Sequence, residues 1–185
     1  MTFSAPHALL ITGIMAAGKS TIAQAVAERL PKSVHLRGDL FRRMIVNGEA
    51  SMDPDAAEAL TQKAEEQLRL RYRIAASAAT LYAQAGFTVV YQDIIIGPML
   101  DEVIAMLPSP LSLVVLCPAP DVASQRDQAR HKTGYSEGGW TPRQLDEELR
   151  QNTPRLGLWL DNSALSIEET VDTILARAGE ALIQP

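Results

Sequence analysis

A glycine-rich segment near the start of the chain constrains the fold more than any other feature. Residues 13–20 read G-I-M-A-A-G-K-S, which fits the pattern G-x-x-x-x-G-K-S, and they follow the apolar run Ala8 to Thr12. The next residues, Thr21 to Leu30, have the apolar spacing of an amphipathic helix. Backbone N–H groups surround phosphate oxygens in loops that join a strand to a helix in this way. The pattern therefore predicts a phosphate-binding loop between the first strand and the first helix.

The loop pattern also suggests roles for individual side chains. Lys19 is expected to reach the β- and γ-phosphates of a nucleoside triphosphate, and the Ser20 hydroxyl is expected to ligate Mg²⁺. Thr21 is placed to hydrogen-bond the α-phosphate. The expected nucleotide-binding residues are Gly13, Ile14, Met15, Ala16, Ala17, Gly18, Lys19, Ser20 and Thr21.

Length and charge limit the class of protein. A chain of 185 residues with 46% hydrophobic content is expected to form one domain spanning residues 1–185. A net charge of −5 argues against nucleic acid as a partner. The apolar runs are of strand length, the N-terminus lacks a basic segment before an apolar stretch, and Cys117 is alone. These observations predict a cytoplasmic protein without a membrane partner.

Apolar runs alternate with helical segments along the whole chain, which indicates an α/β fold with a parallel sheet between helices. A long helical stretch is predicted between Asp53-Pro54, as its start, and Gly86, as its stop. Capping boxes at Thr141 and Ser166 predict two later helices. The predicted strands are Ala8 to Thr12, Val34 to Leu36, Thr88 to Gln92, Leu111 to Leu116 and Leu156 to Leu160.

Asp39 follows the second predicted strand, in the segment R-G-D-L-F-R-R of residues 37–43. Ligands of open parallel sheets bind beyond the carboxyl ends of the strands, so this acid is a candidate base for an acceptor hydroxyl. The alternative is that Asp39 is the N-cap of a helix over Leu40 to Val46, and the two roles are compatible. Arg42 is expected on the same helix face, as a site for an anionic group of the acceptor, and Arg43 is expected in solvent.

Asp93 closes the third predicted strand, as an aspartate of the Walker B type does. It is a candidate to hold Mg²⁺ through water or to act as the general base, although strands also end in Asp for turn chemistry alone. The sequence does not decide between Asp39 and Asp93 as the base.

Arg126 and Arg130 lie four residues apart on a helix predicted to begin with Asp121 as N-cap. Two like charges on one helix face are compensated by an anion, which favours a lid over phosphates, spanning about residues 121–141. The alternative is a solvated basic helix end favoured by the helix dipole.

Other polar residues are expected to have simpler roles. Arg69, Arg71 and Arg73 alternate along a predicted helix, and solvation at the surface is the expectation for them. Asn162 and Ser163 follow the last predicted strand and are candidates either for contact with adenine or for turn chemistry.

The glycine loop, the two strand-end acids and the two lid arginines, in this chain order, resemble the small P-loop kinases. That group includes the nucleoside monophosphate, shikimate and gluconate kinases and chloramphenicol phosphotransferase. The resemblance covers nearly the whole chain. It implies a three-layer P-loop NTPase fold with a five-stranded parallel sheet in the order 2-3-1-4-5, helices on both faces and a short lid.

Within this group the environment of Asp39 and the short lid are most similar to chloramphenicol phosphotransferase-like proteins, in which the matching aspartate is proposed as the base. The segment from Gly38 to Arg42 also resembles the G-D-x-x-R of adenylate-type kinases, in which that arginine grips an acceptor phosphate. The apolar run Ile94 to Ile96 suits a less polar acceptor.

These features together predict an ATP- and Mg²⁺-dependent phosphotransferase that moves the γ-phosphate to a hydroxyl of a small molecule, such as an antibiotic-like compound or a metabolite alcohol. Asp39 would activate or orient the hydroxyl, while Lys19, Arg126 and Arg130 would neutralise charge on the transferred group. Ser20 and Asp93 would place Mg²⁺. The alternatives are a nucleoside monophosphate kinase-like enzyme and a nucleotide-binding switch that hydrolyses ATP slowly.

Overall fold

The computed structural model describes residues 7–50, 58–129 and 139–183, without the side chains of residues 58–60. The expected helix start at Asp53-Pro54, residue Arg130 and most of the expected lid lie outside these residues. Among the described residues, no helix is both long and apolar enough to cross a membrane.

A parallel sheet forms the centre of the described structure. Its strands run in the order β2-β3-β1-β4-β5, as the resemblance implied. A further short strand, β6 (Leu182–Ile183), pairs antiparallel with the start of β4, and the sequence gives no signal for it. The parallel strands are β1 (Ala8–Gly13), β2 (Ser33–Arg37), β3 (Thr88–Gln92), β4 (Leu111–Leu116) and β5 (Leu158–Leu160).

The helices cover both faces of this sheet. The connection from β1 to β2 runs towards one edge of the sheet, and the connections from β2 to β3, β3 to β4 and β4 to β5 run towards the other edge. Because such connections are right-handed, helices of the two groups lie on opposite faces of the sheet. In agreement with this rule, α1 packs against α7, whereas α3 packs against α4. The described helices are α1 (Lys19–Glu28), α2 (Asp39–Arg43), α3 (Glu58–Gln84), α4 (Met99–Met106), α5 (Pro120–Gln128), α6 (Pro142–Asn152), α7 (Ile167–Ala176) and α8 (Ala178–Ala181).

Every residue of β1, β3 and β4 is buried. Strands covered on both faces are continuously apolar instead of alternating, which is why the apolar runs located these three strands so closely. The predicted last strand was too long at its start, because β5 begins only at Leu158.

Two predicted helix starts were wrong. Gly38, not Asp39, is the N-cap of α2, and Asp39 is the first residue inside the helix. Ala119, not Asp121, is the N-cap of α5, with Pro120 at its first position. In both cases the acid lies in the first helical turn, where its charge is favourable beside the helix dipole. An acid in that position gives much the same sequence signal as a cap.

Both predicted capping boxes are confirmed. At the start of α7 the Glu169 N–H donates to the Ser166 hydroxyl at 3.1 Å, and the Ser166 N–H donates to the Glu169 carboxylate at 2.8 Å. The box at Thr141 pairs with Gln144 in the same way. The two boxes therefore fix where α6 and α7 begin.

We expect Ser166→Ala to lower the free energy of unfolding by about 1 kcal/mol, because the Glu169 N–H loses its acceptor. Ser77→Ala is the matched control. Ser77 is exposed inside α3 and its hydroxyl donates only to the carbonyl of Arg73, so alanine there should be neutral or slightly stabilising. Denaturant unfolding of both variants measures the difference, and equal effects would contradict the assigned cap.

Candidate active site

The loop between β1 and α1 has a backbone that suits a phosphate cradle. Gly13, Ala16 and Gly18 have φ values of 140°, 60° and 95°. A Cβ on Gly13 would lie 2.2 Å from the Leu116 carbonyl oxygen of β4, so only glycine allows the loop to start this close to the sheet. Such turns direct successive N–H groups towards one point, where an anion binds.

Lys19 and Ser20 begin α1 directly after this loop. Lys19 is buried, and its Nζ donates to the Ile14 carbonyl at 2.7 Å, which holds the ammonium group against the loop. Ser20 and Thr21 are exposed in the first helical turn, next to the loop. The positive charge, the N-terminus of α1 and the two hydroxyls therefore lie together at the carboxyl end of β1.

Asn162, in the turn after β5, hydrogen-bonds to the loop between β1 and α1. It is 3% exposed, and its Nδ2 donates to the Ala17 carbonyl at 3.0 Å. Arg126 in turn donates from Nη2 to the Asn162 backbone carbonyl at 2.8 Å. The hydrogen bond between Asn162 and Ala17 joins residues 145 positions apart, so no local sequence pattern predicts it. Arg126, which belongs to the expected lid, therefore contacts the turn after β5, and this turn lies next to the loop between β1 and α1.

Asp39 follows the carboxyl end of β2, which is separated from β1 by β3. Gln92 Nε2 donates to its Oδ1 at 3.4 Å, and the guanidinium groups of Arg37 and Arg43 lie 3.6 and 3.7 Å from its oxygens. Its side chain is 36% exposed. The carboxylate is therefore open to a ligand and is held near a cluster of donors.

Arg42 does not share this environment. Its Nε lies 3.1 Å from Glu49 Oε1 and its Nη2 donates to the Ala50 carbonyl at 2.8 Å. The part of Arg42 as a site for an acceptor anion therefore stays a prediction, while Arg43 is exposed as expected, with its Nε 3.7 Å from Asp39 Oδ2. Residues three and four positions apart both lie near a given helical residue, so spacing alone could not choose between them.

Arg71 is the main residue that the sequence reasoning missed. It is 8% exposed, and its Nη2 lies 2.9 Å from Asp93 Oδ1, whereas solvation at the surface was expected. The Ile94 N–H donates to the same oxygen at 2.8 Å, and the Tyr91 hydroxyl donates to Oδ2 at 3.1 Å. On its remaining side the carboxylate faces Gly38, where a Cβ would lie 2.0 Å from Oδ2. Asp93 is thus enclosed by protein.

The pKa values of this cluster reflect its burial. Desolvation raises the pKa of the Asp93 carboxyl, while Arg71, the Ile94 N–H, the Tyr91 hydroxyl and Lys19 each oppose that rise. Burial raises the pKa of Tyr72 to about 12 and raises that of Tyr91 still further. Both phenols therefore stay protonated at neutral pH. Because a guanidinium keeps its proton in proteins, Asp93 and Arg71 form an ion pair.

The residues at this edge differ in how well they fit ATP and Mg²⁺. The curled loop, Lys19 and the start of α1 fit the phosphates, and the exposed Ser20 hydroxyl fits a metal ligand. Asp93 is less accessible to a metal ion than Ser20, because Arg71, the Tyr91 hydroxyl and the Ile94 N–H already bind its oxygens. Among the described residues no three His, Cys, Asp or Glu side chains cluster around a possible metal position.

The sheet order and the loop between β1 and α1 together define a P-loop kinase-like fold. Residues 9–154 match the family described as an AAA domain, and the chain belongs to this family. No curated protein sequence matches the chain significantly.

Several solved structures share the fold at low sequence identity. A sugar kinase from Janibacter sp. aligns with a TM-score of 0.65 at 18% identity, over 95% of this chain and 95% of that chain. The tunicamycin resistance protein of Deinococcus radiodurans aligns with 0.63 at 16% identity, over 96% and 98%. The APS kinase of Mycobacterium tuberculosis, in complex with AMPPNP and APS, aligns with 0.61 at 19% identity, over 96% and 99%.

We expect Asn162→Ala to lower the free energy of unfolding by about 1–3 kcal/mol, because the buried Ala17 carbonyl loses its donor. Asn152→Ala is the control, since Asn152 is exposed and its Nδ2 donates to Glu148 within α6. The measurement is denaturant unfolding of both variants. An Asn162→Ala variant as stable as the control would show that this bond does not hold the loop.

Proposed function

We propose that the protein is an ATP- and Mg²⁺-dependent kinase that transfers the γ-phosphate to a hydroxyl of a small molecule. One observation carries the proposal: the phosphate loop after β1 and the exposed Asp39 after β2 lie at the same edge of the sheet, with β3 between them. A donor site and an acceptor-side carboxylate in this relation suit transfer between two bound ligands. Simple nucleotide binding requires only the first of them.

In this proposal each described residue has a limited task. The loop N–H groups and Lys19 bind the phosphates and stabilise negative charge on the transferred group. Asp39 accepts or orients the proton of the acceptor hydroxyl. The Ser20 hydroxyl holds Mg²⁺, which when bound neutralises the phosphate oxygens.

The lid arginines are proposed on unequal grounds. Arg126 is held at the turn after β5, where its bond to Asn162 places it close to the loop. Arg130 lies outside the described residues, and its role over the phosphates stays a prediction from its spacing.

The surroundings of Asp39 support an acceptor with an apolar part. Leu40 follows it on α2 and Met44 is the C-cap of that helix, and they are 39% and 68% exposed. Ile94 and Ile96 are partly exposed after β3. These side chains suit a chloramphenicol-like alcohol or a similar metabolite. Arg42, the residue expected to bind an acceptor phosphate, is paired with Glu49. This ion pair gives no support to a nucleoside monophosphate as acceptor.

Structural neighbours agree with the general class. Of the three solved structures described above, two are named as kinases, for a sugar and for APS, and the APS kinase structure contains the ATP analogue AMPPNP. Identities of 18% and 19% relate the folds alone, so the acceptor has to be found by experiment. The first experiment is a thermal-shift screen with Mg²⁺, an ATP analogue and candidate alcohols, because a true acceptor adds stability by mass action.

Lys19→Ala should abolish phosphate transfer from ATP while the fold survives, because the buried ammonium group is the cation held against the loop. Lys63→Ala removes an exposed lysine of α3 and should transfer normally. Transfer of labelled phosphate and a circular dichroism spectrum measure the two properties. Turnover that persists in Lys19→Ala would refute the mechanism.

Asp39→Asn should lower kcat by at least ~10²-fold with ATP binding largely kept, because the amide cannot take the hydroxyl proton. Asp101→Asn, at an exposed position in the first turn of α4, is the control. The measurement uses the acceptor found in the screen. A change of only a few-fold would reduce Asp39 to a structural residue of α2, and hydrolysis with water as the only acceptor would favour a nucleotide switch.

A further inference from the structure

The segment that follows β2 carries more positive than negative charge. The charged residues between positions 37 and 49 are three arginines and two acids: Arg37, Asp39, Arg42, Arg43 and Glu49. Arg42 and Glu49 form one ion pair, which leaves two arginines to share Asp39. Beside the exposed acid there is thus one positive charge that no acid of the described residues balances. This local excess is opposite in sign to the net charge of −5 of the whole chain.

We infer that Arg37 and Arg43 bind a carboxylate of the acceptor, so that the substrate is a hydroxy acid. The inference rests on the proposed function, because it names the class of acceptor for the same site. It assigns substrate specificity to two arginines to which the sequence analysis gave no role in binding.

Neither arginine is held tightly by a partner within the described part of the chain. Arg37 Nε lies 3.6 Å from Asp39 Oδ1, and Arg43 Nε lies 3.7 Å from Oδ2. Both distances are longer than the roughly 2.7–2.9 Å of a charge-assisted hydrogen bond. Arg37 Nε is moreover a buried atom without a hydrogen-bond partner. In contrast, Arg42 donates to the Ala50 carbonyl at 2.8 Å.

The two guanidinium groups are accessible to a ligand. Their side chains are 42% and 60% exposed for Arg37 and Arg43. A guanidinium group has five N–H donors in a planar fork, and its contact with Asp39 through Nε leaves the terminal nitrogens for another acceptor. Such a fork binds a carboxylate through two parallel hydrogen bonds.

The number of charges favours a carboxylate over a phosphate as the bound group. One carboxylate balances the single excess positive charge, whereas a phosphate monoester carries about 1.5–2 negative charges at neutral pH. Asp39 lies between the two arginines, so an acceptor held by them presents its hydroxyl close to the candidate base.

The sheet separates this anion from the phosphates of ATP. In the strand register Arg37 pairs with Gln92 of β3, and Gln92 pairs with Ile11 of β1, just before the phosphate loop. Neighbouring strands are about 4.8 Å apart, so the ends of β2 and β1 are roughly 10 Å apart. The reaction is the one proposed above: the acceptor oxygen bonds to the γ-phosphorus, ADP leaves, and Asp39 takes the hydroxyl proton.

The test measures phosphate transfer from ATP to aliphatic and aromatic hydroxy acids and to the carboxamide of each, which has the same hydroxyl but no charge. Phosphate monoesters of diols are a third group of probes. The kcat/KM values are compared among the wild type, Arg37→Gln, Arg43→Gln and Arg37→Lys. Arg69→Gln is the matched control, because the Arg69 side chain is 44% exposed and pairs with acids of α3 and α4.

We expect the best hydroxy acid to exceed its carboxamide at least ~10-fold in kcat/KM, since the amide lacks the charge-assisted bonds. Arg37→Gln and Arg43→Gln should each lower kcat/KM at least ~10-fold for the acid and change it less than ~3-fold for the amide. Arg37→Lys should retain part of the preference, because it keeps the charge without the fork. Arg69→Gln should behave as the wild type. If the arginines only supported the local structure, acid and amide would lose activity alike.

Three results would overturn the inference: neutral alcohols that accept phosphate as well as the acids, a preference for phosphate monoesters, or a preference for acids that survives in both Arg→Gln variants. If one of these variants does not fold, as judged by circular dichroism, the other variant and Arg37→Lys decide by the same limits. Transfer to neutral alcohols refutes the inference alone. Transfer to water only, or no transfer, refutes the proposed function and this inference with it.

Discussion

The ion pair between Arg71 and Asp93 is the interaction on which the candidate site depends. It lies where three parallel strands end, with Lys19 and the phosphate loop on one side and Gly38 on the other. Taking one charge of such a buried pair away costs about 3–5 kcal/mol, because the other charge is left uncompensated in the protein interior. The absence of a side chain at Gly38 lets the β2–α2 turn close over this carboxylate, and that closure brings Asp39 to the same edge.

The sheet could be predicted from the sequence to a large extent, and the reasons are local. Strands buried on both faces leave uninterrupted apolar runs, and capping boxes at Thr141 and Ser166 satisfy backbone groups within four residues. The strand order required the resemblance to a family, since it depends on which distant segments pair. The short strand β6 has too few residues to leave a pattern.

The site was less predictable because its contacts are long-range. Alternation along α3 correctly separates Arg69, Arg71 and Arg73 around the helix, but it does not say how deeply each side chain is buried. Arg69 pairs with Glu65 and Glu102 in solvent, whereas Arg71 meets Asp93 in the interior. Likewise, Arg42 pairs with Glu49, which lies beyond the end of α2. Depth and partner are properties of the packed molecule and not of a single helix.

The contrast in solvation between the two strand-end acids bears on which of them acts on an acceptor. A general base must reach the proton that it takes, within hydrogen-bonding distance of a bound ligand. Asp93 is enclosed and holds an arginine, while Asp39 is 36% exposed between Arg37 and Arg43. Their sequence settings look alike, since each follows an apolar strand at the same edge. Because the two acids differ in burial, Asp93 pairs with Arg71 inside the protein, whereas Asp39 is accessible to the acceptor in the proposed reaction.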